Sequence, residues 1–356
     1  MSSIISIKNF TKNEILEILN KANSLKNFPQ QNLIENKIVA TLFFEPSTRT
    51  RLSFTSASFK IGGKVLGFDS PDATSLKKGE SLRDTIKVIE GYSDVIIMRH
   101  LRDGAAKFAK DISTVPIINA GDGSNEHPSQ TLLDLYTIKD KLKNIDNLTT
   151  AFVGDLKYGR TVHSLTEALS KFSGQKFYFI APDEIQIPSE IRKILDSKNI
   201  PYELLSDYKA ILKEVDVLYM TRIQRERFEN PDLYERVKNS FEISKNIILG
   251  NCKESMIILH PLPRVNEINI DLDDTKHAVY FEQAKNGVQI REAMIGIALG
   301  KINIHSSKKI NDDTVINNDV SLCPNKNCIT NFEKTDNKVV IKNNEQFCYY
   351  CGKKIN

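Results

Sequence analysis

Apolar and polar positions fall into alternating blocks along this chain. Short apolar runs rich in strand-forming residues occur at 37–44, 64–68, 94–98 and 115–119, with a second series at 150–154, 176–181, 215–220 and 256–259. Between them apolar positions take helical spacing near 48–61, 81–91, 129–142, 159–172, 189–198, 208–213 and 232–239, and again near 286–300. Ser81-Leu82-Arg83-Asp84 has the form of a capped helix start. Strand–helix alternation of this kind predicts parallel sheets covered by helices. The two series predict an α/β protein with two doubly wound parallel-sheet domains. The first spans 1–135 and is completed by a returning helix over about 286–305. The second spans 136–285, with the hinge in the helix near 129–142. No internal repeat is evident. In such folds ligands bind in loops beyond the carboxyl ends of strands.

Composition narrows the function classes. The chain has 356 residues, is 40% hydrophobic and 26% charged, and carries a net charge of +4. That charge is too small and too spread out to argue for nucleic acid. No apolar run reaches the length of a membrane span, and the opening residues lack the apolar core of a secretion signal. Five cysteines are present, four of them between 323 and 351, which suggests metal rather than disulfides and a reducing, cytoplasmic setting. Near 301–320 Lys, Asn, Asp and Ser replace the apolar rhythm, and 306–320 reads as a linker to a small domain at 321–356.

The chemistry-bearing segments sit at predicted strand ends. Ile38-Val39-Ala40-Thr41-Leu42-Phe43-Phe44 stops at Glu45-Pro46, and Ser47-Thr48-Arg49-Thr50 opens a helix. This is either a well-capped helix with a surface arginine or an anion site, where hydroxyls, helix N–H groups and Arg49 converge on phosphate. Met98-Arg99-His100 ends a strand, with Arg99 either solvated or a second phosphate or carbonyl ligand. The loop Asn119-Ala120-Gly121-Asp122-Gly123-Ser124-Asn125-Glu126-His127 delivers His127 and Gln130 to a helix start. Val153-Gly154-Asp155-Leu156-Lys157-Tyr158-Gly159-Arg160 lacks the spacing of a dinucleotide turn, and Arg160 at its helix entrance suits a carboxylate. After the next strand Arg222 and Gln224 are better ligand candidates than Arg225 and Arg227. His260-Pro261-Leu262-Pro263-Arg264 fixes its backbone with two prolines, leaving carbonyls to accept from an amine. The loop Thr74-Ser75-Leu76-Lys77-Lys78-Gly79-Glu80 by itself reads as an exposed linker.

Cys323-Pro324-Asn325-Lys326-Asn327-Cys328 and Cys348-Tyr349-Tyr350-Cys351 are C-x4-C and C-x2-C pairs. Four thiolates in two such pairs predict one structural Zn2+ per chain. A segment this short cannot bury an adequate core alone. Metal binding supplies on the order of 10 kcal/mol of folding free energy in small domains of this kind. Cys252 is left over as a plain thiol.

Taken together these segments resemble the aspartate carbamoyltransferase catalytic chain over about residues 1–305. Ser-Thr-Arg-Thr, Met-Arg-His, Gly-Asp-Gly-Ser-Asn-x-His-Pro-x-Gln, Gly-Asp-Leu-Lys-Tyr-Gly-Arg, Thr-Arg-x-Gln and His-Pro-Leu-Pro-Arg stand in the family's order. The resemblance implies roles. Ser47, Thr48, Arg49 and Thr50 would bind the phosphate of carbamoyl phosphate, shared by Arg99. Thr50, Arg99 and His127 would contact the carbamoyl oxygen and Gln130 the carbamoyl nitrogen. Arg160, Arg222 and Gln224 would hold the carboxylates of L-aspartate. The Leu262 carbonyl, beside Pro261, would orient the attacking amine. Ser75 and Lys78 would enter a neighbouring subunit's site, which implies a homotrimer, with a dimer of trimers as the larger option. The loop is one residue shorter before its paired lysines than the enteric-type spelling, so Lys78 carries over more firmly than Ser75.

The resemblance implies N-carbamoyl-L-aspartate and phosphate as products, in pyrimidine synthesis, with no organic cofactor. Substrates of this charge call for several arginines, and each charge-assisted bond is worth roughly 1.5–3 kcal/mol. An ornithine carbamoyltransferase is disfavoured because Thr221-Arg222-Ile223-Gln224 and His260-Pro261-Leu262-Pro263 suit a second carboxylate and not an ammonium. A non-catalytic assembly scaffold is the other alternative. The cysteine tail resembles the zinc domain of the family's regulatory chain, including Cys-Pro-Asn-x-Asn-Cys-Ile. Residues 301–320 are too few to hold the regulatory chain's nucleotide-binding domain. The resemblance therefore implies a fusion, β-rich at its tail, without the usual ATP/CTP effector site. The tail lacks a clustered basic face, which disfavours nucleic acid.

Overall fold

The computed structural model describes residues 2–70, 78–223, 231–237, 240–305, 314–317, 323–336, 338–342 and 344–355. Contacts divide it into two units, residues 1–129 with 288–356 and residues 130–287.

The first unit opens with α1 (Lys12–Asn27), absent from the expected helices. Thr11 and Glu14 form a reciprocal capping box, and Ile15, Ile18, Leu19, Ala22 and Leu25 make its buried stripe. There follow β1 (Ile38–Phe43), α2 (Thr48–Lys60), β2 (Lys64–Phe68), α3 (Leu82–Ile89), β3 (Val95–His100), α4 (Ala105–Ile112) and β4 (Ile117–Asp122); α5 (Pro128–Leu142) comes next, and its residues from Gln130 belong to the second unit. Ser81 caps α3, its side chain accepting from Asp84 N–H. Helix α4 also escaped the sequence pattern, because its buried face is mostly alanine: Ala105, Ala106 and Ala109, with Phe108. The sheet is parallel in the order β2-β1-β3-β4. The chain runs outward from β1 to β2, then crosses back to β3. The strand order therefore reverses between β1 and β3, where a crevice opens beyond their carboxyl ends.

The second unit repeats this logic. Its strands are β5 (Thr149–Val153), β6 (Lys176–Ile180), β7 (Tyr202–Leu205), β8 (Val217–Met220) and β9 (Ile257–Leu259). Its helices are α6 (Arg160–Leu169), α7 (Ser189–Ser197), α8 (Pro231–Val237) and α9 (Lys245–Ile248); α10 (Tyr280–Ala298) begins there, and its residues from Val288 belong to the first unit. The sheet is parallel in the order β7-β6-β5-β8-β9, so its reversal lies between β5 and β8. Phe152, Phe177 and Phe179 pack together in this core, with Phe152 and Phe179 stacked at 5.7 Å. Two expectations need correction, and one strand was missed. The segment 208–213 forms only a three-residue 3-10 turn, Lys209–Ile211. Edge strand β7, only partly buried, carried too weak an alternation to be read. The final helix starts at Tyr280, six residues before its predicted position.

The tail is β-rich: β10 (Thr314–Asn317), β11 (Lys338–Lys342) and β12 (Glu345–Cys348) make an antiparallel sheet. Thr314–Asn317 was expected as linker; its pairing with β11 makes it part of the small domain. Within the first unit the tail shares a hydrophobic cluster with the sheet domain. Cys323, Cys328, Ile329, Cys348 and Tyr350 are buried with Leu82, Ile86, Ala105 and Phe108. Polar contacts surround this patch. Glu333 Oε1 accepts from Leu82 N–H at 2.6 Å, and Asn325 Nδ2 donates to Asp103 Oδ2 at 2.8 Å. Arg102 donates to Asn327 Oδ1 at 2.8 Å and lies 3.5 Å from the Phe332 ring centroid. Lys107 lies 3.6 Å from the Tyr349 ring centroid and donates to the Tyr349 carbonyl. Burial pulls the Lys107 amine down to about 8, against the nearby Asp111.

Gly104 sets how closely the two surfaces approach. Its φ is +83°, and a Cβ there would stand 2.7 Å from the Tyr350 carbonyl carbon. Gly104→Ala should loosen the tail and cost about 1–3 kcal/mol of stability. Thermal unfolding with limited proteolysis checks this: the variant should lose its tail faster than wild type. Equal tail protection would show that this contact does not set the docking.

Candidate active site

At the first sheet's reversal, Ser47 is the N-cap of α2, with extended backbone and no side-chain capping bond. The helix ladder begins with Arg51 N–H to Ser47 O at 3.1 Å. The earlier N–H groups therefore point out of the helix end, the geometry that receives an anion. Thr50 is buried under them, and Ser53 Oγ donates to Arg49 O at 2.7 Å. Arg99, the penultimate residue of β3, is in register with Phe43, so it flanks the same loop. Glu45 Oε1 accepts from Arg99 Nη2 at 3.1 Å, holding the guanidinium beside the turn. Next to it His100 is half-buried, and its Nδ1 accepts from Arg102 N–H at 3.0 Å. Burial, then the Arg102 charge, lowers the His100 ring to about 4, so it is neutral at pH 7.

The loop after β4 is tied together by Asp122. This buried carboxylate accepts from Gly104 N–H, Asn119 Nδ2, Asn125 Nδ2 and Glu126 N–H, at 2.9, 3.0, 3.1 and 3.1 Å. Burial raises Asp122 to about 7 despite those donors. Gly123 has φ +53°, and a Cβ there would collide with Asp103. Asp103 Oδ1 in turn accepts from Ser124 N–H at 2.8 Å. The loop so fixed presents His127, buried, with Ser129 Oγ 3.3 Å from its Nδ1. Ser47, Thr48, Arg49 and Thr50 at the start of α2, Arg99 near the end of β3 and His127 in the loop after β4 thus all stand at the carboxyl edge of one sheet.

The second unit brings its own set to its reversal. Gly154 follows β5 with φ +114°, and a Cβ would lie 2.3 Å from Thr221 O, the residue after β8. Only glycine lets these two strand ends approach so closely. Asp155 Oδ1 accepts from Tyr158 N–H at 2.9 Å and closes the turn that places Arg160 at the first position of α6. Arg160 is buried, and Arg222 is half-buried just past β8. Gln224, Ser75, Arg225 and Arg227 lie outside the described residues. Lys78 is exposed.

The Pro261-Leu262 turn is built on His260. Its Nδ1 accepts from Leu262 N–H at 2.8 Å, so the proton sits on Nε2, which faces Glu267 Oε1 at 2.8 Å. Burial works to raise the Glu267 carboxyl, but the hydrogen bond from His260 and backbone N–H bonds outweigh it and the net shift is downward. Leu262 has φ +56°. Arg264 is not a ligand candidate: Asp273 and Tyr280 hold it.

Gln130 and Tyr219 converge on Asp134, a buried acid that sequence reasoning missed. Gln130 Nε2 donates to Asp134 Oδ1 at 2.8 Å and Tyr219 OH to Asp134 Oδ2 at 2.9 Å. Burial and then Asp134 push the Tyr219 phenol well above its usual range, so it remains a donor. The Gln130–Asp134 spacing of four was a signal in the sequence for one helix face. Glu45 gave no comparable signal, because its partner Arg99 comes from another strand; Asp122 and Glu267 gave none because most of their partners are neighbours in irregular segments, where spacing does not predict contact.

The four tail cysteines also come together. Their sulfurs all lie within 4.8 Å of one another, with Cys323 to Cys351 at 3.5 Å and Cys328 to Cys348 at 3.7 Å. Sulfurs bound to one tetrahedral zinc at ~2.3 Å stand ~3.8 Å apart. A disulfide needs ~2.05 Å. Three of the thiols are buried and the fourth, Cys351, is half-buried. The donor set fits a closed thiolate metal site.

Among the described residues no helix is long and apolar enough to cross a membrane. A family profile described as aspartate/ornithine carbamoyltransferase, carbamoyl-P binding domain, matches residues 2–140, and its Asp/Orn binding domain counterpart matches 146–297. The aspartate carbamoyltransferase catalytic subunit of Brachyspira hyodysenteriae is 56% identical across 100% of this chain and 99% of its own length. That of Vibrio campbellii is 50% identical over 84% of this chain and 96% of its own length. Among solved structures, the catalytic subunit of M. jannaschii aspartate transcarbamoylase superposes with TM-score 0.79 at 48% identity, covering 84% of this chain and 98% of that one. Trypanosoma cruzi aspartate transcarbamoylase in complex with carbamoyl phosphate and aspartate gives 0.78 at 35%, covering 83% and 96%. With two parallel-sheet units carrying arginines at their reversals, and a relative matched from end to end, this chain belongs to the aspartate carbamoyltransferase family.

Proposed function

We propose that this chain is a carbamoyltransferase that moves the carbamoyl group of carbamoyl phosphate to L-aspartate, giving N-carbamoyl-L-aspartate and phosphate for pyrimidine synthesis. The observation that carries this reading is the full-length match to a catalytic subunit. The cations at the reversal of each sheet support it, because both substrates are anionic.

In this reading Ser47, Thr48, Arg49 and Thr50 at the start of α2 bind the phosphate, and Arg99 shares it. The aspartate amine attacks the carbamoyl carbon; a C–N bond forms and the bond to the phosphate oxygen breaks. Thr50, Arg99 and His127 donate to the oxyanion that develops on the carbamoyl oxygen. Gln130 meets the carbamoyl nitrogen. Arg160, Arg222 and Gln224 take the aspartate carboxylates, and the Leu262 carbonyl beside Pro261 orients the amine. The amine's proton leaves with the departing phosphate. Holding the two reactants together supplies several kcal/mol more, on the order of 7–11 in well-oriented systems.

Ser75 and Lys78 complete a neighbouring subunit's site in a cytoplasmic homotrimer. Leu52, Phe59, Val88 and Tyr92 are exposed large apolar residues on α2 and α3 and the turn after α3. A subunit interface on these helices would remove them from water. Cys323, Cys328, Cys348 and Cys351 hold one structural Zn2+, which cross-links the tail when bound.

Arg49→Ala should reduce turnover by at least ~100-fold, the scale of losing a charge-assisted contact in a reacting complex. Circular dichroism should be unchanged. Steady-state assays with aspartate and with ornithine as acceptor test the substrate reading. A preference for ornithine, or full activity of the variant, would overturn it.

Metal analysis should find one zinc per wild-type chain and none in Cys348→Ser. That variant should also lose tail protection against proteolysis. A metal-free wild type with an intact, protected tail would refute the zinc site.

A further inference from the structure

Asp134 lies at a junction that the proposed chemistry does not by itself require. It is fully buried on α5, one turn after Gln130. Its Oδ1 receives two amides, Gln130 Nε2 at 2.8 Å and Gln283 Nε2 at 2.6 Å. Its Oδ2 receives the Tyr219 hydroxyl at 2.9 Å, three residues before Arg222. Gln283, also buried, accepts from His260 N–H through its Oε1 at 2.9 Å. All of these residues belong to the second unit.

A glutamine amide has a donor end and an acceptor end of nearly equal shape, and its neighbours decide which end faces where. The His260 N–H can only donate, so it fixes the Gln283 oxygen toward itself and the Gln283 NH2 toward Asp134. Asp134 Oδ1 is therefore an acceptor on grounds independent of Gln130. An acceptor there also draws the NH2 end of Gln130 and turns the Gln130 oxygen away.

We propose that Asp134 is a positioning residue that sets the Gln130 amide with its oxygen toward the substrate, and so selects an amino-bearing acyl phosphate over a methyl-bearing one. This rests on the reading above, in which Gln130 meets the carbamoyl nitrogen. An oxygen accepts from the carbamoyl NH2, whereas the NH2 end of the amide would oppose it donor to donor. A methyl group gains nothing from either end. The same carboxylate reaches the turn of Pro261 and Leu262 through Gln283 and His260. One buried acid thereby ties the carbamoyl-nitrogen contact to the turn assigned to the amine.

Acetyl phosphate, which carries a methyl where carbamoyl phosphate carries its amino group, is the probe. The readout is its inhibition constant against carbamoyl phosphate, divided by the KM for carbamoyl phosphate. In Asp134→Ala this ratio should fall about tenfold, the scale of one hydrogen bond. Inhibition by inorganic phosphate should stay unchanged, because the phosphate is held elsewhere. Asp134→Asn should keep the ratio within about threefold, since one amide oxygen serves both glutamines and the Tyr219 hydroxyl can turn to accept. If the alanine variant does not fold, Asp134→Ser carries the same expectation, its hydroxyl donating as readily as it accepts. Gln130→Ala separates the two claims. If it leaves the ratio at the wild-type value, the role assigned to Gln130 fails and this inference with it. If Gln130→Ala collapses the ratio while folded Asp134→Ala or Asp134→Ser does not, Asp134 is structural only and the inference alone is overturned.

Discussion

A parallel sheet whose connections leave in opposite directions from neighbouring strands cannot cover the ends of those two strands. The rest of this protein is arranged around that constraint. In the first unit the uncovered ends are β1 and β3, and they carry Ser47, Thr48, Arg49, Thr50 and Arg99. In the second they are β5 and β8, and they carry Arg160 and Arg222. Helix starts and strand-end arginines concentrate there because the backbone itself offers N–H groups at such places.

Holding these loops still requires acceptors, and the protein supplies them as buried carboxylates. Asp122 gathers four N–H groups under the His127 loop, Asp134 gathers three donors beside Gln130, and Glu267 faces the His260 ring under the Leu262 turn. A buried carboxylate without donors would cost several kcal/mol. With each oxygen occupied, the same group fixes the direction of every partner. Such networks define one loop conformation more sharply than apolar packing does.

The tail solves a different problem. Its three short strands bury little on their own, so its folding leans on the thiol cluster and on the face of α4. The small side chains that make α4 hard to recognise, Ala105, Ala106 and Ala109, belong to the cluster that the tail shares. Gly104 at its start lets the backbone around Tyr350 come close. The contacts of Asp103 extend from Asn325 in the cysteine knuckle to Ser124 in the glycine loop, so the tail and the loop before His127 share one acceptor.

The eight strongest strands, the helices opened by Ser47 and Ser81, and the segments that bear the candidate site were all legible in the chain, because apolar period and turn chemistry are local. So was the thiol set, whose two short spacings place ligands pairwise. Helix α1 had a readable capping box and stripe. Helix α4 and edge strand β7 did not stand out, since alanine and half-exposed positions give little contrast. The pairing of Glu45 with Arg99, the reach of Gly104 N–H to Asp122 and the arrival of Tyr219 and Gln283 at Asp134 were beyond the sequence. Each joins residues brought together only by strand order, across separations such as the 149 positions between Asp134 and Gln283. The sequence by itself determined which groups have the charge and hydrogen-bonding capacity for the chemistry. Tertiary structure decided which way each one faces, because direction is set by partners that the chain meets only after its strands have been laid side by side.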